Sequence, residues 1–135
     1  MASLDTNCIL RWLLDDVPAQ TTEVDRIIAT HPRLDVADVA LVEVVFVLER
    51  VLKLPRSSVG TAFATLAAQS TIAFDRRLWG AVIERYLAHP KLSVADIYLA
   101  LTADGNGAGP LLTFDKKLAS QIDEAVLVND AVDGG

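Results

Sequence analysis

Residues 35–54 run DVADVALVEVVFVLERVLKL, and the secondary structure of this segment limits which fold the chain can adopt. Its five valines between Val39 and Val47 favour a strand, because β-branched side chains fit a pleated surface. However, residues 37–54 contain neither Gly nor Pro, whereas a strand usually ends after about five or six residues. We therefore expect a helix, capped at its start by Asp35 or Asp38. Because nine of the ten residues in 39–48 are apolar, this helix is expected to be buried.

Short apolar segments alternate with helical segments along the rest of the chain. Strands are predicted over residues 2–4, 34–36, 71–74, 111–113 and 125–128. Helices are predicted over residues 8–14, 19–30, 56–69, 76–87, 93–103 and 116–122. Three of these helices have candidate caps, namely Ser57 or Ser58, Asp75, and Ser93. The alternation predicts an α/β fold with a short parallel sheet of four to five strands, covered by helices on both faces.

The length of 135 residues fits one domain spanning residues 1–135, with about residues 129–135 as a frayed tail. Hydrophobic residues make up 52% of the chain, which excludes a disordered protein. The single cysteine, Cys8, excludes an intramolecular disulfide and argues against a cysteine-based zinc site. The longest apolar run has ten residues, far short of the roughly 20 that span a membrane. Since no signal-like segment begins the chain, we expect a soluble, cytoplasmic protein without a membrane partner.

Four acidic residues stand where an α/β fold could use them. Ligands of such folds bind outside the carboxyl ends of the strands, and Asp5 and Asp115 directly follow predicted strands. Glu43 lies in the apolar helix, and Asp96 lies in the first turn of a later helix. Gaps of 38, 53 and 19 residues separate the four, so only the fold could bring them together.

If these carboxylates converge, they repel one another and need a cation to remain ionised. Oxygen ligands without His or Cys select Mg²⁺ or Mn²⁺ over zinc. Such an ion activates a bound water and neutralises charge that develops on a phosphodiester, which is the chemistry of a metal-dependent nuclease. It would also offset the net charge of −6, from 12 Lys and Arg against 18 Asp and Glu, which by itself argues against nucleic-acid binding.

Each acid also has a purely structural interpretation. Asp5 and Asp115 can cap the helices that follow them, and Asp96 can complete a capping box with Ser93. Glu43 can pair with an Arg of another helix, because an unpaired charge in a buried apolar run is costly.

Three polar residues flank the acids, namely Thr6, Asn7 and Thr113. They can hold water or phosphate, or they can make ordinary turn hydrogen bonds. Both interpretations stay open from the residues alone.

Four segments, LDTNCILRWLL, VEVVFVLERVLKLPR, SVADIYLAL and LLTFDKKL, occur in an order and at spacings that resemble a PIN domain. The resemblance covers nearly the whole chain and is closer to VapC-type toxins of bacterial toxin–antitoxin pairs. It implies a parallel sheet in an α/β/α sandwich and a Mg²⁺- or Mn²⁺-dependent endoribonuclease. It places the acidic, metal-binding quartet of the family on Asp5, Glu43, Asp96 and Asp115.

The same resemblance assigns Thr113 to the hydroxyl residue commonly found two positions before the last acid, and Asn7 to the polar residue after the first. Ser93 stands where some relatives carry another acid, so an extra ligand is absent. Such toxins cleave RNA, are usually homodimers and are neutralised by a small antitoxin that covers the acidic groove. The resemblance therefore implies RNA, a cognate antitoxin and a second copy of the chain as partners.

Two other functions remain open at this point. A PIN ribonuclease could serve RNA maturation rather than toxicity. A receiver-like, non-catalytic regulatory domain also suits the length and the α/β alternation. That domain needs a paired acid on the first strand and a Lys at the end of a late strand, and neither is present here.

Overall fold

The computed structural model describes residues 2–133, which divide into two compact units with their boundary between Asp75 and Arg76. The first unit contains β1 (Ala2–Ser3), α1 (Thr6–Leu14), α2 (Pro18–Thr30), β2 (Leu34–Asp35), α3 (Asp38–Phe46), α4 (Arg56–Ala67) and β3 (Ile72–Ala73). The second unit contains α5 (Arg76–Ala88), α6 (Val94–Gly105), β4 (Leu111–Thr113), α7 (Lys116–Gln121), β5 (Ala125–Leu127) and α8 (Val128–Asp133).

In the first unit, the three strands form a parallel sheet in the order β1-β2-β3. Ala2 aligns with Leu34, and Leu34 aligns with Ile72. The backbone hydrogen bonding continues past β1, since Leu4 N–H donates to the Asp35 carbonyl at 2.9 Å. Because the strands are parallel, their carboxyl ends share one edge, and Asp5 leaves the sheet there.

The core of the first unit contains the apolar residues that the sheet and helices bury. Leu34 and Ile72 on the sheet and Leu41 on α3 have no accessible surface. The helix α3 continues into a π-helical turn over Val47–Val51. The predicted helix in this region is therefore confirmed, although its last part is π-helical.

In the second unit, β4 and β5 pair in parallel, with Leu111 aligned to Ala125. Helix α5 contributes the fully buried Trp79, whose ring stacks on that of Tyr98 at a centroid distance of 5.4 Å. The Arg85 guanidinium of α5 binds the carboxylate of Glu124, the residue before β5, through two hydrogen bonds of 3.0 and 3.1 Å. This ion pair fixes α5 to the start of β5.

The predicted α/β class is confirmed, because helices predominate and every strand pairing of the described chain is parallel. The five strands, however, form a three-stranded and a two-stranded sheet rather than one sheet. Two cap assignments were wrong, because Ala37 and Pro55 occupy the N-cap positions of α3 and α4 without a side-chain hydrogen bond.

The predicted frayed tail over residues 129–135 is also wrong in part. Val128–Asp133 forms helix α8, and residues 134–135 lie outside the described part of the chain. Within residues 2–133, no helix is both long enough and apolar enough to cross a membrane.

Candidate functional site

Asp5 lies between β1 and α1, at the carboxyl edge of the three-stranded sheet. It is the N-cap residue of α1, and its Oδ1 accepts a hydrogen bond of 2.8 Å from the Cys8 backbone N–H. This bond from Cys8 lowers the pKa of Asp5 below its ordinary value, and the Cys8 thiol and the Asn7 N–H act in the same direction. Asp5 is exposed, so the structure presents an ionised carboxylate to solvent at the end of a strand.

A cleft of about 240 Å³ in the first unit has Asp5 on its wall. The remaining lining residues are Asn7, Cys8, Arg11, Gln20, Glu23 and Val24, all from α1 and α2. Arg11 follows Asn7 by four residues, a spacing that puts both on one helix face, and it forms an ion pair of 2.8 Å with Asp16. Arg11 and Gln20 line the cleft but were not predicted as site residues, although the helical spacing from Asn7 could have indicated Arg11. Thr6, the first residue of α1, is half-buried and does not line the cleft.

Glu43 lies in α3, and its position corrects an expectation from the sequence. Nine apolar neighbours predicted a buried carboxylate, but Glu43 is exposed. Val39 and Phe46, four residues before and three after it, are 64% and 55% exposed. These spacings place all three on one helix face, and this face points to solvent. The predicted cost of burying Glu43 therefore does not arise. The nearby ion pair joins Arg56 to Glu49 at 3.2 Å.

Asp96 lies in the first turn of α6 and is half-buried. Its backbone N–H donates to the Oγ of Ser93, the N-cap residue, at 3.2 Å. This is the serine half of the predicted capping box, so the structural interpretation of Ser93 is confirmed. The Asp96 carboxylate stands next to the positive end of the helix dipole, which favours a negative charge there.

Asp115 follows β4 and is the N-cap residue of α7. Its Oδ1 accepts a hydrogen bond of 3.1 Å from Leu118 N–H, and its own N–H donates to Thr113 Oγ1 at 3.0 Å. The capping interpretation of Asp115 is therefore confirmed. The hydroxyl of Thr113 keeps its own proton for donation, since Oγ1 acts as the acceptor in this bond.

Each unit thus carries two of the four predicted acids, Asp5 and Glu43 in the first, Asp96 and Asp115 in the second. Across residues 2–133, no group of three or more His, Cys, Asp and Glu side chains is close enough to hold a metal ion. The donor chemistry nevertheless fits a hard divalent cation, because all four residues offer carboxylate oxygens. Their accessibility fits as well, since none of the four is buried.

The comparison with known families identifies the family of the chain. The model of the PIN domain family matches residues 2–124, which include all four acids. The chain therefore belongs to the PIN domain family, whose members are generally nucleases that act on RNA. No curated protein and no solved structure shows significant similarity to the chain.

Proposed function

We propose that residues 1–135 act as a single PIN domain and that the protein is a Mg²⁺- or Mn²⁺-dependent endoribonuclease. The observation that carries this proposal is the placement of the acids in a chain of this family. Asp5, Asp96 and Asp115 stand in the first turns or caps of three helices, and Glu43 projects from α3 into solvent. Glu43 caps no helix, and its exposed carboxylate is accessible to a ligand.

The four acids are proposed to have different roles. Asp5 and Asp96 are proposed to contact the metal directly, while Glu43 and Asp115 bind through water or a second ion, or position the nucleophile. When bound, a divalent ion supplies Lewis-acid stabilisation of the phosphodiester and an activated water. The low pKa of Asp5 suits this role, since a carboxylate must be deprotonated to bind metal.

Thr6, Asn7 and Thr113 are proposed to position the substrate. Asn7 is exposed on the cleft wall, where its amide can donate to a phosphate oxygen. The Thr113 hydroxyl can donate its proton to phosphate or water while its oxygen accepts from Asp115 N–H.

Within this activity, we propose the role of a toxin in a toxin–antitoxin pair, with the protein acting as a homodimer. The support is the resemblance of the ordered acidic segments to VapC-type toxins. The net charge of −6 also suits a basic antitoxin segment, in which an Arg could pair with the acidic residues. A PIN ribonuclease of RNA maturation is the alternative within the same family.

Cleavage of a mixed structured RNA by the purified full chain tests the nuclease. We expect cleavage with Mg²⁺ or Mn²⁺ and none with EDTA. Asp96→Asn should abolish it, whereas Asp130→Asn, a matched change at an exposed Asp of α8, should not. Cleavage that survives EDTA, or equal activity of Asp96→Asn and wild type, contradicts the proposed mechanism.

The toxin role requires a separate measurement in cells. Induced expression of the wild-type chain should arrest growth, and Asp96→Asn should not. Co-expression of a small protein encoded by an overlapping upstream reading frame should restore growth. Active RNA cleavage without growth arrest favours the maturation role instead.

A further inference from the structure

Phe114 is the most exposed large apolar side chain of residues 2–133, with 81% of its surface accessible. Other aromatic residues of the same unit behave differently. Trp79 and Tyr86 are fully buried, and Tyr98 stacks on Trp79. Phe114 therefore contributes little to the core of its unit, and its ring is available to a ligand.

The backbone on both sides of Phe114 is fixed by hydrogen bonds. Asp115 N–H donates to Thr113 Oγ1 at 3.0 Å, and this hydrogen bond links the residues on either side of Phe114. Asp115 is held in turn by Leu118 N–H. The exposure alternates along this segment, since Leu112 and Phe114 are exposed and Thr113 and Asp115 are half-buried. Phe114 therefore faces solvent at the bend that follows β4.

Two basic residues, Lys116 and Lys117, follow Asp115. They begin α7, and both are exposed. The segment therefore presents an exposed aromatic ring and two cations next to a carboxylate of the proposed active site. Proteins that bind single-stranded nucleic acid combine these features, because bases stack on aromatic rings while cations follow the phosphates.

We propose that Phe114 stacks on one unpaired base of the RNA substrate and that Lys116 and Lys117 contact the phosphates beside it. This inference rests on the proposed nuclease function and adds the residues that bind the strand. Since every base has an aromatic face, this contact is tolerant of base identity. It favours unpaired RNA over a duplex, because bases within a helix already stack on each other.

RNA binding by the full chain in the inactive Asp96→Asn background tests this proposal without cleavage. A fluorescent single-stranded oligonucleotide is the probe. Phe114→Ala should weaken binding about 5- to 160-fold, the range that loss of one base–aromatic stack gives. Phe114→Trp should restore it. Leu112→Ala is the control, because Leu112 is an exposed apolar residue of the same strand without an aromatic ring.

A second arm separates stacking from other roles of Phe114. A set of oligonucleotides is tested, each with a single abasic nucleotide at a different position along the strand. At the stacked position, the abasic RNA should bind wild-type Phe114 as weakly as Phe114→Ala binds intact RNA, and the two changes together should cost no more than either alone. For the lysines, Lys116→Gln and Lys117→Gln should each reduce the salt dependence of binding by about one phosphate contact. Lys91→Gln, a change at another exposed lysine, should leave the salt dependence of binding unchanged.

The outcomes are distinguishable from failure of the nuclease itself. A wild-type chain that neither cleaves nor binds RNA contradicts the proposed function. A chain that cleaves and binds RNA normally, with Phe114→Ala unchanged, overturns only this inference. Equal losses of RNA affinity in Phe114→Ala and Leu112→Ala show that ring stacking is not the cause and overturn the inference too. A change of oligomeric state with unchanged RNA affinity assigns the exposed face to a protein contact and also overturns it.

Discussion

Asp5 serves the fold and the proposed chemistry at once, and two substitutions separate these roles. Asn caps a helix about as well as Asp, whereas Ala at an N-cap costs about 1 kcal/mol. Asp5→Asn should therefore lose cleavage and keep its free energy of unfolding, while Asp5→Ala should lose both cleavage and about 1 kcal/mol of stability. Cleavage assays and urea unfolding measure the two effects. Full cleavage by Asp5→Asn would show that the residue is only a cap.

Glu43 differs from Asp5 because its side chain caps no helix. Because its side chain is exposed, Glu43→Gln should change the free energy of unfolding by less than about 0.5 kcal/mol. We expect the same variant to lose RNA cleavage. Glu84→Gln, at an exposed glutamate of α5, is the matched control and should remain active. A marked loss of stability in Glu43→Gln would mean that the carboxylate has a structural partner.

The capping roles of Asp5, Ser93 and Asp115 could be predicted from the sequence, but the exposure of Glu43 could not. Asp5, Ser93 and Asp115 are recognisable as caps because each short polar residue directly precedes a helical segment. The environment of Glu43 was not recognisable, since almost every position around it is apolar and no periodic polar face indicates which side is solvated. The residue pattern of such a segment does not reveal that the helix face with Val39 and Phe46 is exposed.

Among the elements, α5 and β5 are joined by the Arg85–Glu124 pair, whose contribution depends on pH. Hydrogen bonds from Arg85 lower the pKa of Glu124 below its ordinary 4.5. A carboxyl group whose pKa is lower in the folded state stabilises the fold at pH values above its unfolded-state pKa. This stabilisation is lost as the pH falls through the folded-state pKa. Glu124→Gln should therefore cost about 0.5–1 kcal/mol at pH 7. That cost should shrink as the pH falls below 4.5.

Urea unfolding of wild type and Glu124→Gln at several pH values measures this difference. Glu84→Gln again serves as the control, because it removes a carboxylate from α5 without breaking the hydrogen-bonded pair. A cost of Glu124→Gln that is the same at pH 3 and pH 7 contradicts the ion-pair explanation and points to packing.

The helices and strands could be predicted where the length of a segment or its Gly and Pro content was decisive. The absence of Gly and Pro over residues 37–54 identified a helix despite its valines, because a strand of that length is rare. Helix α8 was missed, since a segment of six residues carries too little propensity to be recognised. The division of the strands into two sheets was not predictable either, because the sequence shows where strands lie but not which strands pair.

On the scale of the whole molecule, the net charge of −6 has to be reconciled with an RNA substrate. In the proposed function, cations held by the acids would reduce the repulsion of phosphate. The proposed contacts of Lys116 and Lys117 would supply a local attraction that the net charge conceals. Charge summed over a chain is thus a weak guide to substrate when acidic ligands and basic contacts occupy different segments.

The last prediction tests whether acids from both units serve one reaction. An ion that binds only the folded chain stabilises it, by about 2.7 kcal/mol at 100 times the dissociation constant. Mn²⁺ should therefore raise the melting temperature of wild type and of Asp130→Asn. Asp5→Asn and Asp96→Asn should each abolish most of this increase, and the double variant should lose no more than either single variant, because residues that act as a unit are not additive. Losses that instead add would indicate two independent ion sites, one with each acid, and would contradict the proposed quartet.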